Sequence, residues 1–202
     1  MRRIFSTISV ALLALASASA YSVKVGDPAP NFTGTDSNGK KITLAEFKNK
    51  YVVLEWSNPN CPYTRKHYSS GNMQSLQKEW TAKGVVWLSV LSSAPGQQGN
   101  VTAFEENEYL REMKAAPTAA ILDPSGTIGR LYDAKTTPDM FVIDPQGKIV
   151  YEGAIDDQPT PDPASLKDAK NYVSAALEAS MAGRAVAVPV TRSYGCSVKY
   201  GN

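Results

Sequence analysis

The chain has 202 residues, 43% of them hydrophobic, with 21 lysines and arginines against 19 aspartates and glutamates. That length suits one domain with a full core, and the near-balance of charge gives nucleic acid or an anionic membrane no electrostatic hold. Two cysteines and one histidine fall short of a four-ligand zinc site, so neither a metal nor a cofactor is expected.

Residues 1–20 read as a secretory signal. Arg2 and Arg3 give a basic start, Ile8 to Ala16 a short apolar core, and Ala18-Ser19-Ala20 a small-residue cleavage site. The apolar stretch is shorter than the roughly 20 residues that span a bilayer. Residues 21–202 are then one exported domain, periplasmic in a Gram-negative bacterium and otherwise secreted.

Tyr21 to Asn31 reads as an extended entry segment, and Thr33 to Leu44 as a hairpin turning at Ser37-Asn38-Gly39-Lys40. A short helix is expected over Leu44 to Lys48, then a buried strand over Tyr51 to Trp56. Cys61 opens a helical stretch to about Lys83, interrupted near Ser70-Gly71. A strand over Val85 to Leu91, an amphipathic helix over Val101 to Lys114 and a short strand over Thr118 to Leu122 follow. A short helix over Gly126 to Tyr132 precedes the strand Met140 to Ile143, whose return partner is Lys148 to Tyr151. Asp156 to Pro163 is a proline-rich loop, and Ser165 to Met181 reads as one helix stopped by Gly183. The tail from Ala185 has no helical period and holds Cys196. Helices alternating with buried strands predict an α/β layered domain with a mixed sheet.

Cys61 lies where a buried strand gives way to a helix. Free amide hydrogens and the helix dipole at such a terminus favour a thiolate. Pro62 fits the first helical position, and Arg65 and Lys66 add positive potential; His67 reads as a helix-surface residue. The pattern makes a reactive nucleophile of Cys61, with a small buried core residue as the alternative.

The segment Leu54-Glu55-Trp56-Ser57-Asn58-Pro59-Asn60-Cys61-Pro62-Tyr63-Thr64 resembles the active-site strand, loop and helix of thioredoxin-like proteins. Gly26-Asp27-Pro28-Ala29-Pro30-Asn31-Phe32 resembles the entry segment of the alkyl hydroperoxide reductase and thiol-specific antioxidant family. Thr136 to Asp144 is similar to the segment that carries the cis-proline of that fold. Gly153-Ala154-Ile155-Asp156-Asp157 and Gly195-Cys196-Ser197-Val198-Lys199-Tyr200 look like later motifs of its peroxiredoxin-like redoxins. The resemblance implies a thioredoxin-like fold, a central mixed β-sheet flanked by helices with an N-terminal hairpin extension. It implies a thiol oxidoreductase acting on a peroxide or a protein disulfide and recycled by an unidentified thiol reductant.

Two departures bear on the reaction. A Cys-x-x-Cys motif would put a second cysteine at position 64, where this chain has Thr64. A peroxiredoxin would usually carry Pro, then Thr or Ser, where Leu54 and Asn58 stand. Thr64 is read either as a hydrogen-bond donor to a Cys61 thiolate or as an ordinary helix-surface residue. Glu55 matches a buried acid of thioredoxins that assists proton transfer; the alternative is a strand-edge carboxylate facing solvent or a lysine. By resemblance, Pro138 is cis and the backbone of Thr137 binds extended substrate. Cys196 is either the thiol that resolves an oxidised Cys61, one end of a static disulfide pinning the tail, or a free thiol apart from Cys61. A Cys61–Cys196 pair is the expectation. The competing function is a non-catalytic exported scaffold stapled by that bond.

Overall fold

A computed structural model describes residues 23–201, so the expected signal segment lies outside the described residues. The described chain forms a seven-stranded mixed sheet in the order β2-β1-β5-β4-β3-β7-β8. Its strands are β1 (Thr33–Asp36), β2 (Lys41–Thr43), β3 (Val52–Trp56), β4 (Val86–Leu91), β5 (Ala119–Leu122), β7 (Asp139–Ile143) and β8 (Ile149–Gly153). The helices are α1 (Pro62–Ser69), α2 (Asn72–Ala82), α3 (Ala103–Glu112), α4 (Thr127–Leu131) and α5 (Tyr172–Met181). β3 runs parallel to β4 and antiparallel to β7. β1 and β2 form the expected hairpin, with Asp36 Oδ1 accepting from the Asn38 and Lys40 amides across the turn.

β3 and β4 are buried along their whole length because they stand in the middle of the sheet. Successive side chains of a strand point to opposite faces, and this divides the core in two. Leu54, Trp56, Leu88 and Val90 pack on one face with Phe32, Ile121, Tyr132 and Phe141. Val53 and Trp87 pack on the other with Tyr68 of α1, Trp80 of α2 and Leu177 of α5. Each such large side chain, fully buried, contributes on the order of 1.5–3 kcal/mol of hydrophobic stabilisation. Glu55 and Ser89, register partners across β3 and β4, face the helical side.

The expected helix over 165–181 is broken. A 3₁₀ turn over Pro163–Asp168 and helix α5 are separated by an extended Ala169. Local side chains compete for the backbone there. Asp157 Oδ1 accepts from the Lys170 amide at 2.9 Å, and Asn171 caps α5 by accepting from the Ser174 amide at 2.8 Å. The tail is also more ordered than its lack of period suggests. Strand β9 (Cys196–Ser197) pairs antiparallel with β6 (Thr136–Thr137), placing Cys196 opposite Thr137. Among the described residues no helix is long and apolar enough to cross a membrane.

Candidate functional site

The turn leading to Cys61 is built by Asn58. Its Oδ1 accepts from the Asn60 amide at 2.8 Å, and its carbonyl accepts from the Cys61 amide at 3.0 Å. Such an Asx turn ends β3 and delivers Cys61 to the N-cap of α1, with Pro62 as the first helical residue. The two departures from the peroxiredoxin pattern therefore have local reasons. Asn58 makes the turn, and Leu54 sits inside a strand paired on both sides, with Leu88 and Phe141, where a proline would remove a ladder hydrogen bond.

Cys61 is fully buried, and Cys196 is half-buried; both are free thiols. The Cys61 thiol donates to the Thr137 carbonyl at 3.0 Å, and the Thr137–Pro138 peptide bond is cis. Burial pushes the Cys61 pKa up. The Cys196 thiol, the Thr137 side chain and the Thr64 and Cys196 backbones, as hydrogen-bond partners, outweigh it, and the net shift is downward. Burial, followed by the bond to Cys61 and its charge, raises Cys196 to about 11. Cys61 therefore ionises first, and Cys196 stays protonated as its donor. Alkylation of Cys61 should reach half its maximal rate below the ordinary cysteine pKa, and Cys196→Ala should move that midpoint upward. A pH profile of iodoacetamide trapping, with the modified residue identified by mass spectrometry, measures both.

Three sequence readings need correction. Thr64 fits neither of its two readings: it is fully buried rather than on the helix surface, and its hydroxyl has no hydrogen-bond partner; the group it offers the sulfur is its backbone amide. Glu55 is not at a strand edge, because β3 is central. It is fully buried and accepts from Tyr68 Oη (2.9 Å), Trp87 Nε1 (2.7 Å), Ser89 Oγ (3.1 Å) and Gln77 Nε2 (3.3 Å). Burial raises its pKa, and these four donors only partly offset that. The solvent-facing reading of Glu55 is therefore overturned.

The third correction concerns His67. It is buried, as is Lys66, and both face Asp156. Lys66 Nζ donates to the Gln158 carbonyl at 2.7 Å and lies 3.7 Å from Asp156 Oδ2, so its charge is spent there. Burial, reinforced by the Lys66 charge, lowers His67 to about 3. The imidazole is thus neutral. With Asn72 donating to its Nδ1 at 2.9 Å, it turns an Nε2–H towards Tyr194 Oη at 3.4 Å. Tyr194 Oη also takes a hydrogen bond from Lys66 at 3.3 Å and donates to Asp156. This cluster was missed by the sequence reading, although Asp156 stands in one quoted motif and Tyr194 immediately precedes another. A second unforeseen acid, Glu106 of α3, is also buried, and burial followed by the Glu55 charge raises it to about 8. Among the described residues no cluster of three or more His, Cys, Asp and Glu has the arrangement of a metal site.

Residues 25–152 match the profile of the AhpC/TSA family. Over 130 residues the chain is 29% identical to thiol-disulfide oxidoreductase ResA of Bacillus thuringiensis, covering 64% of this chain and 69% of the relative. Among solved structures, a hypothetical protein of Sinorhizobium meliloti superposes with a TM-score of 0.78 at 23% identity, over 90% of this chain and 97% of that one. A putative thiol:disulfide interchange protein DsbE of Chlorobium tepidum superposes with a TM-score of 0.54 at 25% identity, over 65% and 85%. The tail that carries Cys196 lies beyond the residues matched by the family profile.

Proposed function

Because the chain belongs to the AhpC/TSA family, we propose that it is an exported thiol oxidoreductase in which Cys61 is the nucleophile and Cys196 the resolving thiol. The observation that carries this reading is the convergence of both cysteines on Thr137: the Cys61 thiol, at a helix N-cap, donates to its carbonyl, and Cys196 lies opposite it in the β6–β9 pair. Residues 1–20 are its export signal, and residues 21–202 its working domain.

In the peroxide branch the Cys61 thiolate attacks one peroxide oxygen. The O–O bond breaks, the distal oxygen leaves as water after protonation, and Cys61 becomes a sulfenic acid. Cys196 then attacks that sulfur, a second water leaves, and a Cys61–Cys196 disulfide forms. Two thiols have lost two electrons and the peroxide has gained them. In the exchange branch Cys61 attacks a disulfide, expels one of its sulfurs as a thiolate and is released from the mixed disulfide by Cys196. The name of the Bacillus relative supports exchange. With Thr64 where a second motif cysteine would stand, Cys196 takes the part of the second thiol. Glu55, buried with a raised pKa, is assigned the part of proton carrier, and the Thr137 carbonyl beside Pro138 orients the sulfur.

Thiol titration before and after one equivalent of hydrogen peroxide tests the assignment. The protein should show two thiols that are lost together, and Cys196→Ser should stop at a sulfenic acid on Cys61 that dimedone traps. A disulfide that survives mild reductant would instead favour a stapled scaffold.

A further inference from the structure

Cys61 is covered by the chain's own C-terminal tail. Strand β9 occupies the open edge of β6, so the backbone of Thr136 and Thr137, the edge nearest the Cys61 sulfur, is already paired. An extended polypeptide gains its affinity for such an edge from these same main-chain groups. Gly195 lies so close that a Cβ there would stand 2.1 Å from the Thr137 carbonyl oxygen, and its φ of +137° suits glycine alone.

The tail is anchored on both sides of Cys196. Before it, the Thr191 amide donates to the Glu152 carbonyl at 3.0 Å, and Tyr194 is held by Lys66, His67 and Asp156. Beyond it, the Val198 amide donates to the Lys135 carbonyl at 2.9 Å, and Tyr200 Oη donates to the Ala134 carbonyl at 2.7 Å. A peptide can reach Cys61 only if this strap leaves β6 altogether. A molecule of a few atoms needs only a brief local opening of the two-residue strand, and such openings require less free energy than removing the whole strap.

We infer that the strap is a size filter: it admits small oxidants of the hydroperoxide or low-molecular-weight disulfide class to Cys61, excludes polypeptide disulfides, and is held shut by the Tyr194 clasp. This rests on the reading of Cys61 as the nucleophile and decides which of its substrates can reach it. Tyr194 is a positioning residue, acting on the sulfur only through the strap.

The test uses the full-length Cys196→Ser protein and two reagents of one chemistry, 2-hydroxyethyl disulfide and a disulfide-linked decapeptide dimer. Second-order rates of Cys61 modification are measured with each. The small disulfide should react at least about 100-fold faster than the peptide, reflecting the fraction of time the strap is fully detached. Adding Tyr194→Phe, which removes a hydrogen bond to a buried carboxylate, should raise the peptide rate about tenfold or more while changing the small-disulfide rate less than about threefold. Adding Gly195→Ala instead, which forces β9 away from Thr137 without touching the clasp, should act in the same direction. Equal rates for the two reagents, or a parallel rise of both in the loosened variants, would overturn the filter and leave the nucleophile assignment standing. Silence of Cys61 towards both reagents in every variant would overturn the nucleophile and the filter together.

Discussion

Replacing Glu55 by alanine is expected to destabilise the fold by about 3–5 kcal/mol, because it strands several buried donors at once. Tyr68 Oη, Trp87 Nε1, Ser89 Oγ and Gln77 Nε2 all converge on its carboxyl group. They come from α1, β4 and α2, so the loss would loosen the seam between the helices and the centre of the sheet. Glu55→Gln keeps the shape and should be far milder. The two variants should also differ from the parent in their response to pH. The folded protein holds the Glu55 proton above the ordinary carboxylate range, whereas the unfolded chain releases it near the usual value. The contribution of this residue is thus greatest in acid and declines as pH rises from that value through the folded one. Urea titrations across this window should show a negative slope in the parent that is reduced in Glu55→Gln. An unchanged slope would assign the pH dependence to Glu106, the other buried acid on that face.

Asp156→Ala should be similarly damaging, by about 3–5 kcal/mol, for a different reason. The aspartate offsets the charge of the buried Lys66, and removing one member of a buried pair leaves the other ion uncompensated. For a domain of this size such a loss lowers the melting temperature by roughly 10 °C. The double variant Lys66→Met, Asp156→Ala should recover much of the stability, since it removes both charges. It should not restore the clasp on Tyr194, whose hydroxyl donates to Asp156. Thermal melts of the single and double variants provide the check, and a double variant no more stable than Asp156→Ala would refute the ion-pair account.

The elements were legible wherever the signal was local. Val52 to Trp56 and Val86 to Leu91 are unbroken apolar runs apart from Glu55 and Ser89, and both are the central strands. Cys61 was found because a strand, a turn and a proline precede a helix. The failures share one cause, partners remote in sequence. A lone acid in an apolar run reads equally as an edge residue or a buried one, and nothing near Glu55 announces Trp87 or Gln77. Lys66 reads as a source of positive potential for Cys61, and His67 as a helix-surface residue, until Asp156 and Tyr194 are seen to close over them. The break before α5 depends on Asp157, which bonds the Lys170 amide from thirteen residues earlier. The tail has no periodicity because its order comes from the edge it lies against.

That docking has a kinetic consequence. Cys61 and Cys196 lie far apart along the chain, and a thiol on a flexible tether meets its target at an effective concentration of about millimolar at best. A thiol held by strand pairing opposite Thr137, the residue that also bonds the Cys61 sulfur, works at an effective molarity orders of magnitude higher. In the proposed cycle, closing the disulfide would then outrun a second encounter with oxidant. A sulfenic acid on Cys61 would be short-lived, and the sulfur would be shielded from irreversible oxidation.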